Sequence, residues 1–159
     1  TVLAAGSGPS GSVYGEAELS RDRLKRAAAF FAMRSSRRVP ELGRWHGVEI
    51  HLVDDAGSDG AHRAIMGIEG ATDVITQAYS AIPPEAPGIY GELFVNAVWA
   101  VRHAPKRAGW SAAKELLLYI AHGMDHLSGA NDYDAADYRR MRRRELGWIR
   151  DFLKGEADR

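Results

Sequence analysis

The sequence predicts an α+β fold in a single domain, a small mixed β-sheet packed with about five helices. Three observations predict it. Stretches of strand-like alternation and stretches of helical period are interspersed along the chain. The connections between them are short. No internal repeat and no linker divides residues 19–159, and 159 residues suit one domain with a sizeable core.

The elements follow in order. Residues 1–18, opening T-V-L-A-A-G-S-G, are rich in Gly, Ser and Ala and read as a flexible leader. Ser20 then caps R-D-R-L-K-R-A-A-A-F-F-A-M-R, a helix with Leu24, Ala28, Phe31 and Ala32 on one face and Pro40 beyond its end. V-E-I-H-L-V (48–53) alternates apolar and polar residues, so it is a strand. D-D-A-G-S-D-G is a turn, and Asp59 caps a short helix through Met66 that Gly67 and Gly70 end. T-D-V-I-T-Q-A-Y-S (72–80) is β-branched and reads as a strand. I-P-P-E-A-P-G makes a loop, and I-Y-G-E-L-F-V-N (89–96) is a third strand. Residues 97–104 form a helix stopped by Pro105. Ser111 caps A-A-K-E-L-L-L-Y-I-A-H-G-M-D-H-L, the most hydrophobic helix, which Gly129 ends. Asp134 and Asp137 mark a last helix to about Leu153, with Tyr138, Met141, Trp148 and Phe152 as its apolar stripe.

Composition excludes some chemistry. Lys and Arg total 21 and Asp and Glu total 21, so net charge argues for no polyanionic partner and local charge must be read instead. The chain has no cysteine, so any metal must sit on His, Asp or Glu. No apolar run approaches the roughly 20 residues of a membrane span.

The stretch A-H-G-M-D-H-L-S-G-A-N-D (121–132) carries the clearest chemistry. His122 and His126 are four residues apart on a predicted helix, so they project from one face one turn apart. A turn at Gly129 brings Asp132 back toward them, with Asp134 as a second candidate carboxylate. Two imidazoles and one carboxylate make a zinc site with one position left for water, whose pKa the ion lowers toward ~7. A protease of the H-E-x-x-H type needs a glutamate after the first histidine, where this chain has Gly123. Asp125 lies about 100° round the helix from His126 and reads as a supporting or solvent residue.

H-G-x-x-H-L-x-G followed by a short acidic turn resembles the YbeY family of bacterial endoribonucleases, the rRNA maturation factors. The family pattern is H-G-x-L-H-L-x-G-Y-D-H, with three histidines holding a zinc. A-T-D-V-I-T (71–76) resembles the family's T-D-V-L-S-F strand, and G-E-L-F-V-N (91–96) its G-D-I-x-I strand. The resemblance covers roughly residues 45–150. It implies an α+β fold, one Zn²⁺ per chain, a cytoplasmic location, and ribosomal RNA and ribosomal proteins as partners. The implied activity is zinc-dependent cleavage of single-stranded RNA in rRNA maturation and ribosome quality control. The alternatives are a metal-dependent hydrolase of another substrate and a ribosome-associated RNA-binding protein with a structural zinc.

Carried over by position, the metal ligands are His122, His126 and, in place of the third histidine, Asp132. The added negative charge makes the ion a weaker Lewis acid. An arginine that the family often carries six residues before the T-D-V threonine is Met66 here, with Arg63 one turn earlier as a substitute. Asp73 and Glu92 are candidate catalytic carboxylates, as base or orienter. Arg63, Arg102, Arg139, Arg140 and Arg143 are candidate RNA contacts, the last three in a run of five arginines that otherwise reads as a solvated face.

Overall fold

A computed structural model describes residues 2–3 and 19–159. The described residues form one α+β unit with five α-helices and a four-stranded mixed sheet. Within the expected leader, Val2–Leu3 form a short strand, β1. The rest of that stretch, 1 and 4–18, lies outside the described residues.

Helix α1 spans Arg21–Arg38 and starts as its sequence dictates, with the Ser20 side chain accepting from the Arg23 amide. Its apolar face is buried at Leu24, Ala28, Phe31 and Ala32. Strand β2, Arg44–Val53, begins four residues earlier than alternation alone predicts. Helix α2 spans Asp55–Met66 and is capped by Asp54, whose carboxylate accepts from the Gly57 amide at 2.9 Å. The expected cap, Asp59, instead lies inside the helix and accepts from the Gly70 amide at 2.6 Å, closing the exit loop. Both aspartates suit a cap, and the one at the strand end takes the role.

Strand β3, Val74–Tyr79, starts two residues later than expected. The reason is local: the Asp73 carboxylate accepts from the Val74 amide at 2.7 Å, and the Thr72 amide donates to the Ser58 hydroxyl at 3.0 Å. Those bonds turn Thr72 away toward α2, while the Asp73 carbonyl still accepts from the Asn96 amide of the neighbouring strand at 2.8 Å. Strand β4, Gly88–Asn96, follows, then helix α3, Ala97–His103, capped by Asn96. Helix α4, Ala112–Leu127, is capped by Ser111 as expected. Helix α5, Ala135–Ala157, is capped by Asp134 and runs four residues past Leu153. Tyr138 is exposed rather than part of the apolar stripe, which Met141, Trp148, Ile149 and Phe152 form.

The strand order is β1-β2-β4-β3. β2 runs parallel to β1 and β4, and β3 runs antiparallel to β4. Alternation divides β4 by face: Ile89, Gly91, Leu93 and Val95 are buried, while Tyr90, Glu92 and Phe94 are partly exposed. Helix α4 packs across the buried face, with Leu116, Leu117, Ile120, Ala121 and Met124 buried. Helices α1 and α5 cover α4 and meet through Phe31 and Trp148, stacked 6.3 Å apart. Among the described residues no helix is long and apolar enough to cross a membrane.

Candidate metal centre

The last two turns of α4 place His122 and His126 on the one strip of the helix that the core does not cover. Ser128 ends the helix, and Gly129 adopts φ 91°, a left-handed turn that glycine takes without strain. The chain folds back and brings Asp132 over the histidines. Asp134, the other carboxylate the sequence left open, is occupied as the cap of α5, accepting from the Asp137 amide at 2.7 Å.

Three donor atoms converge. His122 Nε2 and His126 Nε2 are 3.0 Å apart, and each is 3.6 Å from Asp132 Oδ2. Donors around a tetrahedral divalent ion, with bonds of about 2.0–2.1 Å, sit about 3.3 Å apart. The three observed separations bracket that value, so the residues fit a metal ion.

The far side of each ring supports the same reading. His122 Nδ1–H donates to Glu145 Oε1 at 2.8 Å, and His126 Nδ1–H donates to the Ala130 carbonyl at 3.0 Å. The network therefore assigns the proton of each neutral ring to Nδ1 and leaves the Nε2 lone pairs facing each other. Two lone pairs at 3.0 Å repel unless a cation or proton lies between them. Burial works to lower the pKa of His122, but the Glu145 carboxylate against its ring overrides it, and the imidazole stands above its ordinary value. A cation is favoured at this spot.

Glu145 is the residue of the candidate site that motif reading misses. It is fully buried, and its Oε2 has no hydrogen-bond partner. The signal lies in helical spacing: Met141, Glu145, Trp148 and Phe152 fall at i, i+4, i+7 and i+11, so this glutamate occupies the buried stripe of α5.

Gly123 has a steric role. A Cβ there would stand 2.8 Å from Leu93 Cγ and collide with Leu93 Cδ2, with Thr76 Oγ1 at 3.3 Å. The position where an H-E-x-x-H enzyme keeps its base faces the sheet here and has no room for a side chain. Asp125 is fully buried and clamped by two arginines. Arg144 Nη2 donates to its Oδ2 at 2.7 Å, and Arg38 Nη2 lies 3.3 Å from its Oδ1. Those bonds tie α1, α4 and α5 together directly behind His126.

The three candidate ligand side chains line an open cleft of about 520 Å³, together with Asp73, Thr76, Met66 and Tyr133. Asp73 therefore reaches the cleft. Glu92 does not: it sits on the other face of the sheet, beside Glu49 and His51. Arg63 pairs with Asp59 and Glu69 and does not line the cleft. Arg102 forms a two-pronged pair with Asp55. Arg139, Arg140 and Arg143 are exposed on α5, and Arg140 pairs with Asp137.

Comparison with known proteins adds the relationship. Residues 15–152 match the family model for endoribonuclease YbeY. Curated relatives of that name are 33% identical over 105 residues in Roseiflexus sp. (strain RS-1) and 32% identical over 124 residues in Anaeromyxobacter sp. (strain Fw109-5). A third, from Moorella thermoacetica, is 33% identical over 97 residues. The matches cover 62%, 77% and 56% of this chain, and 65%, 64% and 61% of the respective relatives. The chain thus spans less than two thirds of the length of each. With a family model matched over most of its length, the chain belongs to the endoribonuclease YbeY family.

Proposed function

We propose that the chain is a zinc-dependent endoribonuclease of the cytoplasm, cutting single-stranded RNA, with ribosomal RNA as its substrate and ribosomal proteins as neighbours. The observation that carries this reading is the convergence of His122 Nε2, His126 Nε2 and Asp132 Oδ2 beside an open cleft, in a member of this family. Zinc bound there supplies a Lewis acid for a phosphodiester oxygen.

The protein's own groups do the rest. Glu145 and the Ala130 carbonyl hold both rings in the tautomer that presents Nε2. Asp73, which lines the cleft, would take a proton from the attacking water. Its Oδ1 is fixed by the Val74 amide and the Thr72 hydroxyl. Arg139 and Arg143, exposed on α5, attract the RNA backbone.

One observation favours a second reading. Among the described residues neither arginine nor lysine lines the cleft, and Met66, 55% exposed, stands at its rim. The fixed counter-charge felt at His122 is that of Arg142, which does not line the cleft. That lining suits a metal-dependent hydrolase whose substrate carries less charge, such as a peptide or small ester.

The test is cleavage of a short single-stranded RNA, with and without chelator, beside a panel of peptide and ester substrates. Metal-dependent RNA cleavage, weakened by Arg139→Ala and steeply salt-sensitive, is expected. Hydrolysis of the uncharged panel with intact RNA favours the second reading. Salt-sensitive RNA binding with no metal-dependent cleavage contradicts both.

A further inference from the structure

We infer that Glu49, His51 and Glu92 form a second divalent-cation site, on the face of the sheet opposite the histidine cleft. The strand pattern builds it. Glu49 and His51 are two apart in β2 and share a face, and Glu49 is the register partner of Glu92 in β4. Leu93 points to α4, so Glu92 points the other way.

Two carboxylates directly opposite on adjacent strands repel. Among the described residues no lysine or arginine pairs with either, and their ion-pair partner is His51. The Tyr79 hydroxyl lies beside them and donates to Glu92. The spot is one of concentrated negative charge on two central strands.

His51 is aimed into it. Its ring stacks on Phe94 at 4.7 Å with planes 17° apart, which sets the direction of Nε2. That nitrogen is buried and has no hydrogen-bond partner. It lies 3.4 Å from Glu49 Oε2 and 4.0 Å from Glu92 Oε1, and one oxygen of each glutamate and a His51 nitrogen all fall within 4.8 Å of one another. Donors around an ion with bonds of about 2.1 Å sit roughly 3.0–3.4 Å apart. The first distance fits, and the Glu92 carboxylate, itself partly exposed, needs to close by roughly 0.6–1 Å.

The site opens on a pocket of about 580 Å³ between Tyr79, Tyr90 and Glu85, which gives an ion a path in. One imidazole and two carboxylates, with no thiolate, suit a borderline transition cation such as Zn²⁺ or Mn²⁺ rather than Cu⁺. An ion there clamps β2 to β4 and removes the repulsion between the glutamates. The inference stands apart from the reading of the cleft, since the two sites share no residue.

The experiment is calorimetric titration of the full chain with Zn²⁺. The wild type is expected to show two binding events, one tight and one weaker. Glu92→Gln, which keeps the shape and relieves the repulsion, should weaken the second by at least about tenfold and leave the first. His126→Ala should do the reverse. A single event that disappears in His126→Ala overturns the inference, as does a second event that survives both Glu92→Gln and His51→Gln. Wild-type crystals soaked in zinc give an answer that needs no variant. An anomalous peak between Glu49, His51 and Glu92 is expected, and its absence there overturns the site.

Discussion

The Nδ1 nitrogen of His122 lies 2.8 Å from Oε1 of Glu145, a residue on the next helix and 23 positions away in the chain. This bond makes α5 part of the candidate metal centre. A buried carboxylate against an imidazole fixes the ring's rotation and tautomer and raises the basicity of the opposite nitrogen. Glu145→Gln keeps an acceptor near Nδ1 but removes the charge. Metal affinity is expected to fall about 10–100-fold with the fold intact, as read by chelator competition and circular dichroism. Unchanged affinity would assign Glu145 to packing alone.

Gly123 limits what this site can become. Alanine there gains helix propensity, on the order of 1 kcal/mol. The new methyl meets Leu93, which is fully buried and has nowhere to move. Overpacking of a tight core costs about 1–3 kcal/mol, so the balance is net destabilisation. A lowered urea midpoint for Gly123→Ala is the expected result. A variant as stable as the wild type would mean that α4 can lift from the sheet.

Arg102 separates a structural ion pair from an RNA contact. Its hydrogen bonds, with help from Asn96, hold the Asp55 carboxyl below its ordinary pKa. A depressed carboxyl stabilises the fold above its unfolded value of 3.8, and that contribution is lost as pH falls through the folded value. Arg102→Ala should therefore be less stable than the wild type at pH 7, and the two should converge in acid. The pair is more than one third exposed, so solvent screening keeps the difference below about 1 kcal/mol. Denaturation across pH reads it. A gap that persists after the Asp55 carboxyl is protonated in the folded protein would place the role of Arg102 elsewhere, and a large loss of RNA affinity would return it to the interface.

Much of this molecule is legible in short stretches of chain. Alternation in 48–53 and 89–96 marks the central strands, and the caps Ser20, Ser111 and Asp134 act where their residue types suggest. His122 and His126 are legible because both lie on one helix, so their spacing alone sets their geometry. What depends on elements meeting is harder to read. Glu145 is hidden in an arginine-rich run, and the stripe through Met141, Trp148 and Phe152 is its one local mark. Asp125 carries no sign of its partners, because Arg38 and Arg144 come from two other helices. Glu92 was separable by period two, since Leu93 and Val95 beside it are core residues and so turn it to the opposite face. The two aspartates at 54 and 59 were not, because each satisfies the rule for a cap and the loop to Gly70 decides between them.

The measurement that tests the central claim most directly is elemental analysis of protein purified without added metal and passed through gel filtration. It compares the wild type with Asp132→Ala and His126→Ala. The inferred site at Glu49, expected to be the weaker of the two, should lose its ion during gel filtration, so the count reads the triad. The account predicts about one zinc per wild-type chain, a marked loss in Asp132→Ala and none retained in His126→Ala. A wild type that is folded and free of metal, or variants that keep the full zinc content, would contradict it.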